Sequence, residues 1–259
     1  MTQSLEIETD AILFDLDGTL IDSTEAVIAH WTRFANQIGI APEVILKTSH
    51  GRRSIDVISE LAPSLASPEF AAALESRIPE DFGDQGKLIP GANELVRKID
   101  AVNHELHDLY RGRQRWGVVT SGTSGMARMW LQILNVPTPD VFVTAELVKQ
   151  GKPDPEGYLL GRKLLSASSV DGNNNNNDDD HDDGIKGSKL RTIVFEDAPA
   201  GVRAGKQAGC IVIGLATTHD ARQVRDAGAD FVVDNLLAIE IDDRGPKQGF
   251  VVRILNQAE

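Results

Sequence analysis

Residues Ala11-Ile12-Leu13-Phe14-Asp15-Leu16-Asp17-Gly18-Thr19-Leu20 run from an apolar stretch straight into two carboxylates and a glycine. The apolar run is short enough to be a buried strand, and Asp-Leu-Asp-Gly is turn chemistry. A strand ending in a tight acidic loop is therefore expected at 11–20.

Outward from this stretch, the next segment changes period. Val27, Trp31, Phe34 and Ile38 recur at helical spacing, as do Ile55, Ile58 and Leu61, and then Phe70, Leu74 and Ile78. Residues 22–88 are expected to be all-helical, punctuated by Pro42, Pro63, Pro68 and Pro79, with Pro90-Gly91 as a closing hinge. Beyond it, helix and strand alternate. Apolar runs at 116–119, 141–143, 192–195, 211–213 and 231–233 are separated by amphipathic stretches near 91–101, 126–134, 155–166 and from Pro199 onward. Such alternation predicts an α/β fold with a parallel sheet. The expected organisation is a core of residues 1–21 and 89–259, with 22–88 as a helical insertion. Residues 171–187, DGNNNNNDDDHDDGIKG, have almost no apolar content and are expected to form a flexible loop. His181 among these aspartates is a weak metal candidate; the composition favours a solvated insert.

Four polar clusters follow apolar runs: Asp15-Leu16-Asp17-Gly18-Thr19, Thr120-Ser121-Gly122, Gly151-Lys152-Pro153-Asp154-Pro155 and Glu196-Asp197. Ligands of open α/β sheets bind at the carboxyl ends of the strands. That rule gathers Asp15, Asp17, Thr120, Glu196 and Asp197 around one crevice, with Lys152 joining from its loop. Two carboxylates at i, i+2 point to one side of an extended segment. One can bind metal and attack an electrophile while the other transfers protons. Asp15 and Asp197 suit Mg²⁺, which takes hard oxygen ligands and a substrate phosphate oxygen. Lys152 would stabilise charge on a transferring phosphoryl group. Thr120 offers it a hydroxyl and a backbone N–H, and Gly18 and Gly122 permit close backbone approach.

These clusters, in this order, resemble the four motifs of haloacid dehalogenase-type phosphatases over nearly the whole chain. The resemblance implies a Rossmann-like core and, for an insertion between motifs I and II, a C1-type helical cap. It implies Asp15 as nucleophile and Mg²⁺ ligand, and Asp17 as acid and base whose backbone carbonyl also binds Mg²⁺. Thr120 and Lys152 would hold the phosphate, with Ser121 and Gly122 beside them. Asp197 would bind Mg²⁺, with Glu196 taking part directly or through a neighbour. A narrower resemblance, to fungal glycerol-3-phosphatases and 2-deoxyglucose-6-phosphate phosphatases, rests on Ser49-His50-Gly51-Arg52-Arg53, Val148-Lys149-Gln150-Gly151-Lys152-Pro153 and Val194-Phe195-Glu196-Asp197-Ala198-Pro199-Ala200-Gly201. It implies a cytosolic enzyme acting on a small polyol or sugar phosphate. His50, Gly51 and Arg53 are then candidate substrate contacts, against the plainer reading of surface charges at a helix start.

Composition narrows the alternatives. The 259 residues carry a net charge of −13, which argues against nucleic acid as partner. No apolar run approaches the ~20 residues of a membrane span. Residues 1–10 lack the features of a secretory signal. A single cysteine, Cys210, excludes an intrachain disulfide and suits a reducing compartment. A monomer is the default. A sugar phosphomutase and a catalytically silent binding protein share the expected fold. A dinucleotide-binding oxidoreductase fits less well, because DxDGT rather than GxGxxG follows the first strand.

Overall fold

The structure is a computed structural model that describes residues 5–49, 51–105, 114–167, 190–245 and 249–258. His50 and the 171–187 insert lie outside the described residues. The chain enters through β1 (Leu5–Thr9), β2 (Ala11–Phe14) and β3 (Ile21–Asp22). Helices α1 (Thr24–Ile38), α2 (Pro42–Ser49), α3 (Ser54–Leu61) and α4 (Pro68–Phe82) follow, and then β4 (Lys87–Leu88). Alternation sets in with α5 (Ala92–Glu105), β5 (Trp116–Val119), α6 (Ser124–Ile133), β6 (Val141–Val143), α7 (Glu156–Ser166) and β7 (Thr192–Glu196). It continues through α8 (Pro199–Gln207), β8 (Ile211–Leu215), α9 (Ala221–Asp226) and β9 (Phe231–Val233), and the chain closes with β10 (Ile239–Asp243) and β11 (Phe250–Ile254).

Six strands form one sheet in the order β6-β5-β2-β7-β8-β9, and every neighbouring pair is parallel. Residues in β2, β5, β6 and β7 are buried throughout, as expected for strands covered on both faces. Phe14 stacks on Phe195 at 4.9 Å between ring centres, which ties β2 to β7. The first sheet strand, β2, sits between β5 and β7. The chain therefore winds outward from it in both directions, and the loops after these three strands share one crevice.

The helical segment has its own apolar cluster, built on Trp31, Phe34, Ile45, Val57 and Ile58. The two ends of the segment are paired in the structure, just before the expected hinge at Pro90-Gly91. Ile21 and Asp22 pair antiparallel with Leu88 and Lys87, a ribbon too short to show in a hydropathy pattern. Ser67 caps α4 by accepting from the Phe70 N–H at 3.1 Å, with Pro68 in the first turn. Pro79 does not break this helix as expected; α4 continues through it, held by the burial of its neighbour Ile78.

A second departure lies at the termini. Residues 5–9 and 249–254, for which no element was expected, form with β10 an antiparallel sheet of order β1-β11-β10. Its apolar face, Ile241, Phe250, Val252 and Ile254, joins the main core. No helix among the described residues is long and apolar enough to cross a membrane.

His30 on α1 is 1% exposed, and neither ring nitrogen has a hydrogen-bond partner. Burial, reinforced by the charge of Arg33, lowers its pKa to about 4. A histidine held neutral in the folded state binds its proton more readily when unfolded. Stability is then undiminished above the ordinary histidine value and declines as pH falls from ~6.5 toward 4, by roughly 1 kcal/mol per pH unit. Urea unfolding at pH 7.5 and 5 should show wild type losing stability relative to His30→Leu on the acid side. Parallel pH dependences would show that His30 titrates normally.

Candidate active site

The loop after β2 is shaped by its own backbone. Gly18 N–H donates to the Ile21 carbonyl at 2.7 Å, and the Leu20 and Ile21 N–H groups both return to the Leu16 carbonyl. This turn needs Gly18 at φ +87°, and a Cβ there would meet Asp197 Oδ2 at 2.3 Å. Asp15 is thereby left at the end of β2, and the Asp17 carboxylate accepts from Ser23 Oγ at 2.6 Å.

Asp15, Glu196 and Asp197 are buried, each with a carboxylate oxygen within 4.8 Å of the other two. Lys152 reaches into this group from the loop before α7. Its ammonium donates to Asp15 Oδ1 and, at 2.7 Å, to Glu196 Oε1. Burial would lower the Lys152 pKa, but the charges of Asp15 and Glu196 outweigh it and keep the ammonium protonated. Burial, then the neighbouring carboxylates, pushes Asp15 well above the ordinary carboxylate range against the pull of Lys152. Burial likewise raises Glu196. Three carboxylates against one ammonium leave an excess of negative charge in a dry site. A divalent cation preferring hard oxygen would offset it, so the residues fit such an ion.

The three carboxylates are not equivalent as ligands. Glu196 Oε1 also accepts from Tyr158 Oη at 3.2 Å, and Oε2 accepts from the Ala198 N–H at 2.7 Å. Glu196 is thus engaged in orienting Lys152, while Asp15 and Asp197 are better placed to take a metal. Asp197 is itself held by Thr19 Oγ1 at 3.1 Å and by Thr218 Oγ1.

The Glu196 position depends on a close approach by α8. A Cβ on Gly201 would stand 1.4 Å from Glu196 Oε1. Gly201→Ala should displace that carboxylate from Lys152, destabilise the fold by ~1–3 kcal/mol despite better helix propensity, and cost activity. Gly125→Ala, whose new Cβ meets nothing within 4 Å, is the control and should unfold no earlier than wild type. Equal melting temperatures for the two variants would refute this packing.

Thr120 stands at the end of β5. Its N–H goes to the Val143 carbonyl at 2.9 Å, so the expected backbone donor at Thr120 is spent within the sheet. Its hydroxyl accepts from the Gly122 N–H at 3.0 Å, which leaves the hydroxyl proton to donate. Ser121 Oγ donates to the Gly51 carbonyl at 2.8 Å.

Arg53, a candidate substrate contact, is engaged within the protein and lines a small cavity with Thr120, Ser121 and Lys152. Its guanidinium pairs with both oxygens of Asp56 at 2.8 and 2.7 Å and donates to the carbonyls of Val148 and Lys149 at 2.9 and 3.0 Å. The two carbonyl bonds tie the start of α3 to the loop that carries Lys152. Gly51 and Arg52, not Arg53, line the large cavity over Asp15 and Asp17. That cavity has a volume of about 330 Å³ and is enclosed by the helical segment on one side and Thr120, Ser121 and Thr218 on the other.

Sequence reasoning missed Thr218, Tyr158 and Glu75. Thr217 and Thr218 lie just past β8, a strand-end signal of the same kind as the others. Glu75 interrupts the buried stripe of α4 between Ala71 and Ile78, and a carboxylate on an apolar face was the available clue.

Comparison with known proteins agrees with this geometry. Residues 12–215 match the family described as haloacid dehalogenase-like hydrolase. Glycerol-1-phosphate phosphohydrolase 1 of Saccharomyces cerevisiae is 39% identical over 243 residues, covering 93% of this chain and 88% of the yeast protein. The 2-deoxyglucose-6-phosphate phosphatase 1 of the same yeast is 35% identical over 256 residues, covering 97% of each. Among solved structures, a hydrolase from Pseudomonas syringae shares the fold with a TM-score of 0.65 at 24% identity, covering 88% of this chain and 94% of that one.

Proposed function

Because the chain belongs to the haloacid dehalogenase-like hydrolases, we propose that it is a Mg²⁺-dependent phosphatase acting on the phosphomonoester of a small polyol or sugar. The observation that carries this reading is the Lys152 ammonium held between the buried carboxylates of Asp15 and Glu196, behind a cavity lined by Asp15, Asp17 and Thr120. The names and coverage of the two yeast relatives support the substrate class.

In this mechanism an Asp15 carboxylate oxygen attacks phosphorus and the ester P–O bond breaks. Asp17, held by Ser23, gives its proton to the departing alkoxide oxygen. Asp17 then takes a proton from water as that water attacks phosphorus. The bond to Asp15 breaks, and inorganic phosphate leaves with Asp15 regenerated. Lys152 and the Thr120 hydroxyl hold the non-bridging oxygens and stabilise their charge in the transition state. Mg²⁺ bound by Asp15 and Asp197, with the Asp17 carbonyl, would neutralise the charge of phosphate and nucleophile together.

Residues 22–88 act as a cap over the core formed by 1–21 and 89–259, closing about the β3/β4 ribbon. The bonds from Arg53 and to Gly51 join cap and core in the closed form. The enzyme works as a cytosolic monomer, consistent with the lone buried thiol of Cys210.

Phosphate release from a panel of polyol and hexose phosphates, with Mg²⁺ or with EDTA, tests the reading. Turnover that requires Mg²⁺ and is fastest on polyol or sugar esters is expected. Folded protein that releases phosphate from none of them, or releases it equally in EDTA, would overturn it. Transfer of phosphate to a second sugar in place of water would mark a mutase.

A further inference from the structure

We propose that Glu75 is a specificity residue whose carboxylate receives the hydroxyl groups of the substrate's carbon chain; the inference rests on the phosphatase reading above and extends it. Glu75 lies on the helical segment, 3% exposed, and lines the same cavity as Asp15, Asp17 and Thr120. Its Oε2 accepts from the Thr123 N–H of the core at 2.6 Å. The hydroxyls of Ser54, at the start of α3, and of Thr123 lie near the same carboxylate and help hold its charge. Among the described residues no lysine or arginine forms a salt bridge with it, unlike Asp15 and Glu196, which share Lys152.

A buried carboxylate without a cation is costly to keep. It offers about four acceptor sites and donates nothing when ionised, and among the described residues the Thr123 N–H is the one donor at close hydrogen-bond distance. What it can still accept is hydrogen-bond donors from a ligand. Charge decides which end of the substrate it meets. The phosphoryl group belongs at Lys152 and Thr120, and a second anion at Glu75 would be repelled. The end of the substrate beneath α4 is therefore not anionic and carries donors, and hydroxyl groups are the donors of the ester class proposed above. Trp31, Leu46, Ile78 and Met126 line the same cavity and suit the C–H faces of such a chain. The ligand class that satisfies both walls is a monophosphorylated polyol or sugar, and Glu75 rejects esters whose chain lacks hydroxyls by being left unsatisfied.

Wild type, Glu75→Gln and Glu75→Asp should be compared on glycerol phosphate and propyl phosphate, esters of equal chain length with and without hydroxyls. Wild type is expected to favour glycerol phosphate in kcat/KM by on the order of 10²-fold. Glu75→Gln should lower that preference by about 10-fold or more, with the loss carried by glycerol phosphate and the propyl phosphate rate nearly unchanged. Glu75→Asp, which keeps the charge and withdraws it, should give a smaller fall in the same ratio and serves if the Gln variant does not fold. Equal loss on both esters would show that Glu75 only bolts α4 to Thr123 and would overturn the inference, as would an unchanged ratio. Wild type inactive on both esters and on all other phosphomonoesters would instead sink the phosphatase reading itself.

Discussion

Asp15→Asn is expected to lower kcat by about 10⁴-fold or more, the size of loss seen when a nucleophile is removed, while the melting temperature does not fall. The two halves of this expectation have one cause. Asp15 is buried among Glu196 and Asp197, and its ionised form is disfavoured by burial first and by those two charges next. An asparagine of the same shape removes the like-charge repulsion and can still accept a bond from Lys152. Activity and stability are thus opposed at this position, as at many catalytic groups. Steady-state phosphate release and thermal unfolding of the same preparation check it. A variant retaining a tenth of the wild-type rate would mean that water attacks phosphorus directly and that Asp15 only holds the site.

Lys152→Ala should fail in the opposite way. The ammonium is the cation that Asp15 and Glu196 share, and both bonds are buried. Removing one partner of a buried ion pair costs roughly 3–5 kcal/mol, because the other charges stay behind uncompensated. Loss of its stabilisation of the transferring phosphoryl group should cost a further ~10²–10³-fold in kcat. The stability loss at neutral pH should be partly recovered by millimolar Mg²⁺, a second route to neutralising Asp15 and Asp197, and the Mg²⁺-induced rise in melting temperature should exceed that of wild type. Thermal unfolding with Mg²⁺ and with EDTA reads this without any assay of activity. No Mg²⁺-induced rise in either protein would show that the ion does not bind among these carboxylates.

The parts of the site that were legible in the sequence share one property: each follows directly on a buried strand. Phe14, Val119 and Phe195 end apolar runs, and Asp15, Thr120 and Glu196 come next, so the strand-end rule alone collects them. Lys152 needed its motif, since eight residues of loop separate it from β6. What stayed hidden depends on partners distant in sequence. Glu75 meets Thr123 across 48 residues, and Arg53 meets Val148 across 95. A guanidinium near a glycine reads equally well as a substrate contact or as a brace until its acceptors are known. The β1-β11-β10 sheet was lost for a related reason. Its outer strands mix apolar and charged residues, as in Leu5-Glu6-Ile7-Glu8, and only their pairing with β11 from the far end of the sequence shows which face is covered.

The assignment of Asp15 as the group that takes the phosphoryl is tested most directly by quenching the enzyme in acid during turnover of a radiolabelled phosphomonoester. The protein is then treated with borohydride, which reduces an acyl phosphate to an alcohol, and its peptides are mapped. The account predicts protein-bound label during turnover and reduction confined to residue 15. Label on another residue, or full-rate phosphate release with none on the protein, would contradict it.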